Sequence, residues 1–306
     1  MTRVKLGVGI PQSFPNRAID AASIRAYLAR AEALGFEGVW TQEQILGRMP
    51  TLEPLALMLF AAACTTRVRL GCAVFLTTLR SPVHLAKMLT TLDHLCQGRL
   101  DVGVGLGAPR FDAAFGVDSR TRVARFTEGV QLMKALWTQS RVTFAGRYWQ
   151  LEDAPMEPKP VQRPHPPVWF GASHPDALRR AVRLGDAFIG AGSSTPDQFA
   201  EQVRVIRRYL DQAGRDPASY PIAKRVYIGI DEQKERAGRK LEEWFTINYG
   251  RSNHEQVAVW GSPDECAERL RSIVASGAEM LVLTALYDEA EQLERIAADL
   301  APRLDD

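Results

Sequence analysis

What this sequence is short of narrows it quickly. Its four cysteines, Cys64, Cys72, Cys96 and Cys266, stand apart with no C-x-x-C spacing. A disulfide framework and a thiolate zinc site are therefore excluded as organising principles, and the thiols read as reduced packing residues. The five histidines share no metal-ligand spacing with one another or with a carboxylate: His84 and His94 fall inside one helical pattern and His165 sits among prolines. No metal site is expected. No apolar run reaches about eighteen residues, so nothing reads as a membrane-spanning helix. The stretch Met1–Ile10 has too short an apolar core for a signal peptide, and the expectation is a soluble, cytoplasmic protein without a membrane partner. Neither sign of charge dominates, with 38 Lys+Arg against 36 Asp+Glu and no basic run, which argues against nucleic acid as a partner. A dinucleotide-binding turn is also missing. Gly105-Leu-Gly107 is followed by Ala108-Pro-Arg110, without the third glycine of G-x-G-x-x-G.

What is present is a repeating alternation of short apolar runs and helical patterns. Val4–Ile10 reads as a strand and the stretch from about Asp20 to Gly35 as a helix; Gly38–Trp40 with Leu52–Cys64 repeats the unit. Val68–Leu76 with Pro82–Cys96, and Arg99–Val104 with Arg122–Trp137, complete four units. Pro82 pre-sets the first turn of its helix and Gly98 supplies a left-handed stop. From Thr138 to Pro167 the rhythm breaks, because Pro155, Pro158, Pro160, Pro164, Pro166 and Pro167 forbid regular structure, with a small hairpin predicted around Gly146. The alternation resumes with Val168–Gly171 and Asp176–Leu184, Asp186–Ile189 and Pro196–Ala213, and the strand Tyr220–Ile230. A second excursion, Asp231–Trp260, carries its own helix around Leu241. Pro263–Ser276, Glu279–Leu286 and Glu289–Leu300 then complete eight pairs. Such alternation implies a parallel sheet with right-handed crossovers. At this length it favours a closed (β/α)8 TIM barrel, read as a single domain over residues 1–306, with excursions after the fourth helix and seventh strand and the active site at the strands' C-terminal ends.

The predicted rim is polar but poor in acids and bases. It offers Gln12 after strand one, Gln42, Glu43 and Gln44 after strand two, Thr77 and Thr78 after strand three, and Gly103, Gly105 and Gly107 along and after strand four. Bare glycine backbone there leaves a floor on which something flat can lie. Ser173, in Gly171-Ala-Ser-His-Pro-Asp176, stands where a helix start could hold a phosphate; the competing reading makes Ser173 or Asp176 an N-cap. Gly190-Ala-Gly-Ser-Ser194 is a second such turn, and His174 lies beside the first. Trp40, Trp137 and Trp169 fit core positions, whereas Trp149, Trp244 and Trp260 fall in or beside the excursions and could line a pocket. Arg99, Arg120 and Arg122 fit structural ion pairs as well as anion clamps.

The segment RSPVHLAKMLTTLDHLCQGRLDVGVGLG, residues 80–107, resembles the hallmark of the bacterial luciferase-like family of flavin- and deazaflavin-dependent oxidoreductases. AEALGFEGVW, RFTEGVQLMKALW, PPVWFGASHPDALRRAVRLGDAFIGAG and GSPDECAERLRSIVASGAEMLVL resemble further blocks of it in the same order. The resemblance implies a (β/α)8 barrel and FMN or the deazaflavin coenzyme F-420. Ala73 and Val74 would form a strand-three bulge with a non-prolyl cis peptide behind the cofactor ring. Gly105 and Gly107 would meet the ring, and Gly171, Ala172, Ser173, Gly190 and Gly192 its phosphate end. Glu43 and Gln44 would lie at the reactive edge as the catalytic candidates. Glu43-Gln44 stands where many relatives have Asp-His or Glu-His. Ala108 stands where the sugar-phosphate dehydrogenases of the deazaflavin branch carry a Glu. Those departures weaken a sugar-phosphate assignment and leave hydride transfer or oxygen activation on a small organic substrate. Two alternatives remain, an FMN-dependent monooxygenase fed reduced flavin by a partner reductase and a non-catalytic flavin-binding protein, and a homo-oligomer is expected. Ala73-Val74 and the AGRDP turn at Ala213–Pro217 lean toward F-420.

Overall fold

The computed structural model describes residues 3–15, 18–250 and 252–305. Its first half contains β1 (Lys5–Gly9), α1 (Ala21–Ala33), β2 (Gly38–Thr41), α2 (Pro54–Cys64), β3 (Arg69–Cys72), β4 (Phe75–Leu76), α3 (Pro82–Leu95), β5 (Leu100–Gly105) and α4 (Arg122–Thr138). An antiparallel hairpin of β6 (Val142–Ala145) and β7 (Gln150–Ala154) turns at Gly146, where it was predicted. Then come β8 (Val168–Phe170), α5 (Pro175–Leu184), β9 (Ala187–Gly190), α6 (Pro196–Gln212), β10 (Ile222–Ile230), α7 (Lys234–Tyr249) and α8 (His254–Val257). β11 (Ala258–Gly261), α9 (Pro263–Ala275), β12 (Met280–Ala285), α10 (Glu289–Arg295) and α11 (Ala301–Asp305) end the chain.

The strands β1, β2, β3, β5, β8, β9, β10 and β12 pair in that order, all parallel, and β12 returns to β1. This is the closed (β/α)8 barrel that the alternation predicts. Local chemistry sets where its helices start. Asp20 accepts hydrogen bonds from the backbone N–H of Ala22 and Ser23 at 2.9 and 3.1 Å, and Thr195–Gln198 and Ser262–Glu265 form reciprocal capping boxes. Each such cap contributes about 1 kcal/mol. Proline occupies the first turn of α2, α3, α5, α6 and α9, where no N–H is needed. Gly98, with φ +79°, ends α3 as the sequence implies.

The main core lies between the barrel and its helices, and a smaller cluster fills the barrel axis around Trp40 and Trp169, which meet edge-on at 5.9 Å. A Cβ on Gly71 would lie 2.3 Å from the Trp40 ring, so this glycine makes room for the indole. Cys72, Cys96 and Cys266 are buried free thiols.

Four elements depart from the sequence reading. The strand expected over Val68–Leu76 is interrupted: β3 stops at Cys72 and the ladder to β5 resumes at Phe75. Apolar Ala73 and Val74 give no pattern that would reveal the break. The loop after β5 winds into a 3-10 turn at Pro109–Phe115. The second excursion supplies an extra parallel strand, because β10 is nine residues long: its first half pairs with β9 and its last four residues, Tyr227–Ile230, pair with β11 outside the barrel. The final helix does not stop at Leu300 but passes through a wide π turn at Ile296–Leu300 into α11.

Candidate active site

Between β3 and β4 the chain steps out of the ladder. The Ala73 N–H donates to Thr41 O at 2.8 Å, and the Ala73–Val74 peptide is cis, as the family resemblance implies. This step explains the neighbouring glycines. A Cβ would lie 1.8 Å from Cys72 O if built on Gly103, 2.5 Å from Val74 Cγ2 on Gly105, and 3.0 Å from Val74 Cγ1 on Gly171. The missing side chains therefore make room first for the bulge, and Ala73 and Val74 line the cleft beside them. Gly107 is different, since its φ of +61° lies in the left-handed region that glycine adopts freely. Arg122 braces that loop by donating to Leu106 O at 2.7 Å and Gly107 O at 3.1 Å, with Asp112 2.9 Å from its Nε. Arg122 thus makes the structural ion pair of its two sequence readings, and it also lines the cleft.

The opposite end of the cleft is built from two turns, one before α5 and one after β9. His174, not Ser173 or Asp176, caps α5: its Nδ1 accepts from Asp176 N–H at 3.3 Å. Ser173 is thereby left on the cleft wall. Among the described residues, the backbone N–H groups of Ser173, His174, Gly192 and Ser193 donate to no protein acceptor. Lys224 on β10 reaches the second turn, donating to Ala191 O, to Ser194 O at 3.0 Å and to Ser194 Oγ at 2.8 Å. A trans peptide points its N–H opposite to its C=O. Drawing Ala191 O to the lysine thus aims the Gly192 N–H away from it. Burial, reinforced by neighbouring Arg225, pushes the Lys224 ammonium down to about 7.

Arg225 points to the other face of the strand. Its Nη1 donates to Ala73 O at 3.3 Å and its Nη2 to Tyr227 Oη at 2.7 Å, and Tyr227 Oη lies 2.8 Å from Tyr249 Oη. Burial pushes the Tyr249 hydroxyl upward. Sequence reasoning passed over these four residues. Their signal was nonetheless there: Lys224 and Arg225 are consecutive cations inside a strand buried along its whole length.

Glu43 and Gln44 line the cleft after β2, where the resemblance puts them. The Glu43 carboxylate is closed off, however. It accepts from Arg80 Nε at 2.8 Å, from Arg80 Nη2 and from the Leu76 N–H, and its side chain has no solvent exposure. Arg80 also reaches Glu53 at 2.6 Å. Burial raises the Glu43 carboxyl above its usual value, with Arg80 pulling the other way. The Gln44 amide folds over Gly47.

The cleft at the strands' C-terminal ends has two lobes. The larger, about 510 Å³, gathers Ala73, Val74, Gly105, Gly107, Gly171, Ala172, Ser173, Gly190 and Gly192 on one continuous wall. The smaller, about 310 Å³, extends past Glu43 and Gln44 to Ile45, Leu46, Leu79, Phe111 and Phe115. Ala73, Val74, Gly107, Ala108, Arg225 and Tyr249 belong to both. Trp244 stands over the barrel axis beside Gln12 and Arg225, whereas Trp149 and Trp260 line neither lobe.

Comparison with known proteins agrees with this architecture. Relatives include the F420-dependent glucose-6-phosphate dehydrogenases of Beutenbergia cavernae, 31% identical over 91% of this chain and 92% of that one, and of Kineococcus radiotolerans, 30% identical over 91% of each. Among solved structures, monooxygenase RslO1 from Streptomyces bottropensis superposes with a TM-score of 0.84 at 26% identity, covering 97% of this chain and 99% of the other. An F420-dependent secondary alcohol dehydrogenase, solved with an F420-acetone adduct, shares the fold with a TM-score of 0.85 at 19% identity and full coverage of both chains. The profile of the luciferase-like monooxygenases matches residues 4–256, and the chain belongs to that family.

Proposed function

We propose that this chain is an oxidoreductase that binds coenzyme F-420 or FMN along the larger lobe and acts by hydride transfer or oxygen activation on a small, largely apolar organic substrate in the smaller one. One observation carries the reading. The two lobes meet at Ala73, Val74, Gly107 and Arg225, while the far end of the larger presents the uncommitted N–H groups of Ser173, His174, Gly192 and Ser193. This donor set fits a cofactor with a flat ring at one end and a phosphate at the other. Such a cofactor supplies the redox chemistry when bound, and the protein's part is to hold and orient it.

Ser173 and the Lys224-braced turn would take the phosphate, and the wall at Ala73–Val74 the ring. Tyr249 and Arg225 present hydrogen-bonding groups at the junction, whereas the Glu43 carboxyl is closed off against Arg80 and the Leu76 N–H. Relatives named for F420 at 30 and 31% identity support the cofactor class. Their sugar phosphate is not part of this proposal: Ile45, Leu46, Leu79, Phe111 and Phe115 form an apolar side of the smaller lobe, beside Arg110 and Arg225, and Ala108 offers no carboxylate.

The test is a titration of purified protein with FMN and with F-420, followed by absorbance and fluorescence. One of the two is expected to saturate one site per chain, and binding of neither ends the reading. Turnover of the reduced complex without oxygen separates the chemistries. Hydride transfer persists there, whereas oxygen activation stops and calls for a partner reductase.

A further inference from the structure

Arg225 is a buried guanidinium with no ion-pair partner among the described residues, although the buried Glu289 lines a small cavity at the barrel mouth with it. Arg225 is 8% exposed, and its acceptors among the described residues are Ala73 O and Tyr227 Oη. A guanidinium carries five N–H donors, so most of its capacity is unspent. Lys224, one residue earlier, is also buried and is held by carbonyl and hydroxyl oxygens only. Burial lets Lys224 shed its proton, whereas a guanidinium stays charged, so Arg225 is the buried cation whose charge is costly unless an anion is supplied from outside.

The hydroxyls give this charge a direction. Tyr227 Oη accepts from Arg225 and shares a hydrogen bond with Tyr249 Oη, 2.8 Å away, in which either hydroxyl serves as donor. Tyr249 also lines both lobes of the cleft, where an anionic oxygen would compete with Tyr227 for its proton. The Arg225 guanidinium and the Tyr249 hydroxyl therefore stand on the wall shared by the lobes, next to the apolar surface of Ile45, Leu79 and Phe111.

We propose that Arg225 and Tyr249 form a receptor for an anionic oxygen carried on an apolar body, which makes the substrate an apolar carboxylate or enolate. The inference rests on the proposed function only for which lobe holds the cofactor; the receptor itself is built from Arg225, Tyr227 and Tyr249.

Benzoate and its neutral counterpart benzamide test it. Their binding is measured calorimetrically to the wild type, Arg225→Gln, Arg225→Lys and Tyr249→Phe, each with and without FMN or F-420, alongside melting temperatures and cofactor affinities. The wild type is expected to prefer benzoate by about tenfold or more, as a charge-assisted pair requires. That preference should vanish in Arg225→Gln, persist in part in Arg225→Lys, and fall by roughly threefold in Tyr249→Phe. Equal affinity of the wild type for both probes overturns the proposal. So does an Arg225→Gln protein that loses cofactor affinity while keeping its benzoate preference, because the arginine then serves the cofactor. If Arg225→Gln does not fold, an unchanged preference in Tyr249→Phe is the overturning result. Failure of both cofactors to bind the wild type would count against the proposed function, while the cofactor-free titrations still decide the receptor.

Discussion

Val74 fills the space that a side chain on Gly105 would need: a Cβ there would lie 2.5 Å from Val74 Cγ2. The two residues sit on neighbouring segments of the barrel wall, and each is shaped to the other. Gly105→Ala should therefore destabilise the fold by roughly 1–3 kcal/mol through overpacking. The same change in a Val74→Ala background should cost clearly less, because the interfering methyl is gone. Urea denaturation of the four proteins of this double-mutant cycle checks it, and strictly additive effects would show that the two side chains do not compete for one volume.

Glu43 is expected to be a structural carboxylate. Glu43→Gln puts an amide donor where a carboxyl oxygen accepts from Arg80 or the Leu76 N–H, leaves Arg80 with Glu53 as its charged partner, and should lower stability by about 1–3 kcal/mol. Because burial raises the Glu43 carboxyl above its ordinary 4.5, the folded state holds its proton more tightly than the unfolded chain. That contribution is full below the ordinary value and is lost as pH rises through the raised one. Thermal melts across that interval should flatten in Glu43→Gln. The pH profile of kcat/KM should keep its shape, and a missing limb would make Glu43 a proton carrier after all.

Lys224 should leave the opposite signature. Its folded-state value of about 7 lies below its ordinary 10.5, so between the two the unfolded chain binds more protons and stability rises with pH. Lys224→Met should remove that rise. It should also weaken FMN or F-420 by roughly threefold to thirtyfold through loss of the bonds that hold the Ala191–Ser194 turn, while riboflavin, which lacks the phosphate, is little affected.

Ser173 gives the companion test at the other turn. Ser173→Ala should loosen the phosphorylated cofactor by very roughly 1.5–3 kcal/mol and leave riboflavin binding unchanged. His174→Ala is the control for the helix cap, expected to cost about 1 kcal/mol of stability. Equal losses for FMN and riboflavin in Ser173→Ala would move the phosphate anchor to Gly192 and Ser193.

Much of this protein is written in spacing along the chain. Apolar periodicity, helix-opening prolines and caps such as Thr195 and Ser262 are short-range features, so the barrel and the order of its elements could be read directly. The larger lobe was legible in part for a similar reason, since glycine clusters at strand ends mark close approach of backbone; the full set of nine residues that share its wall came from the family resemblance. What spacing could not reveal were relations between strands distant in sequence. Whether Glu43 was free depended on Arg80 folding back onto it, 37 residues along the chain. Whether the glycines faced a ligand or the protein's own Val74 depended on a bulge hidden in an unbroken apolar run. Arg225 meets the carbonyl of Ala73 across 152 residues, a contact made only when β10 comes to stand across the barrel mouth from β3. Charge on a strand is visible in the sequence, but what neutralises it depends on the tertiary structure, because in a low-dielectric interior a group's role is set by the neighbours within hydrogen-bonding reach.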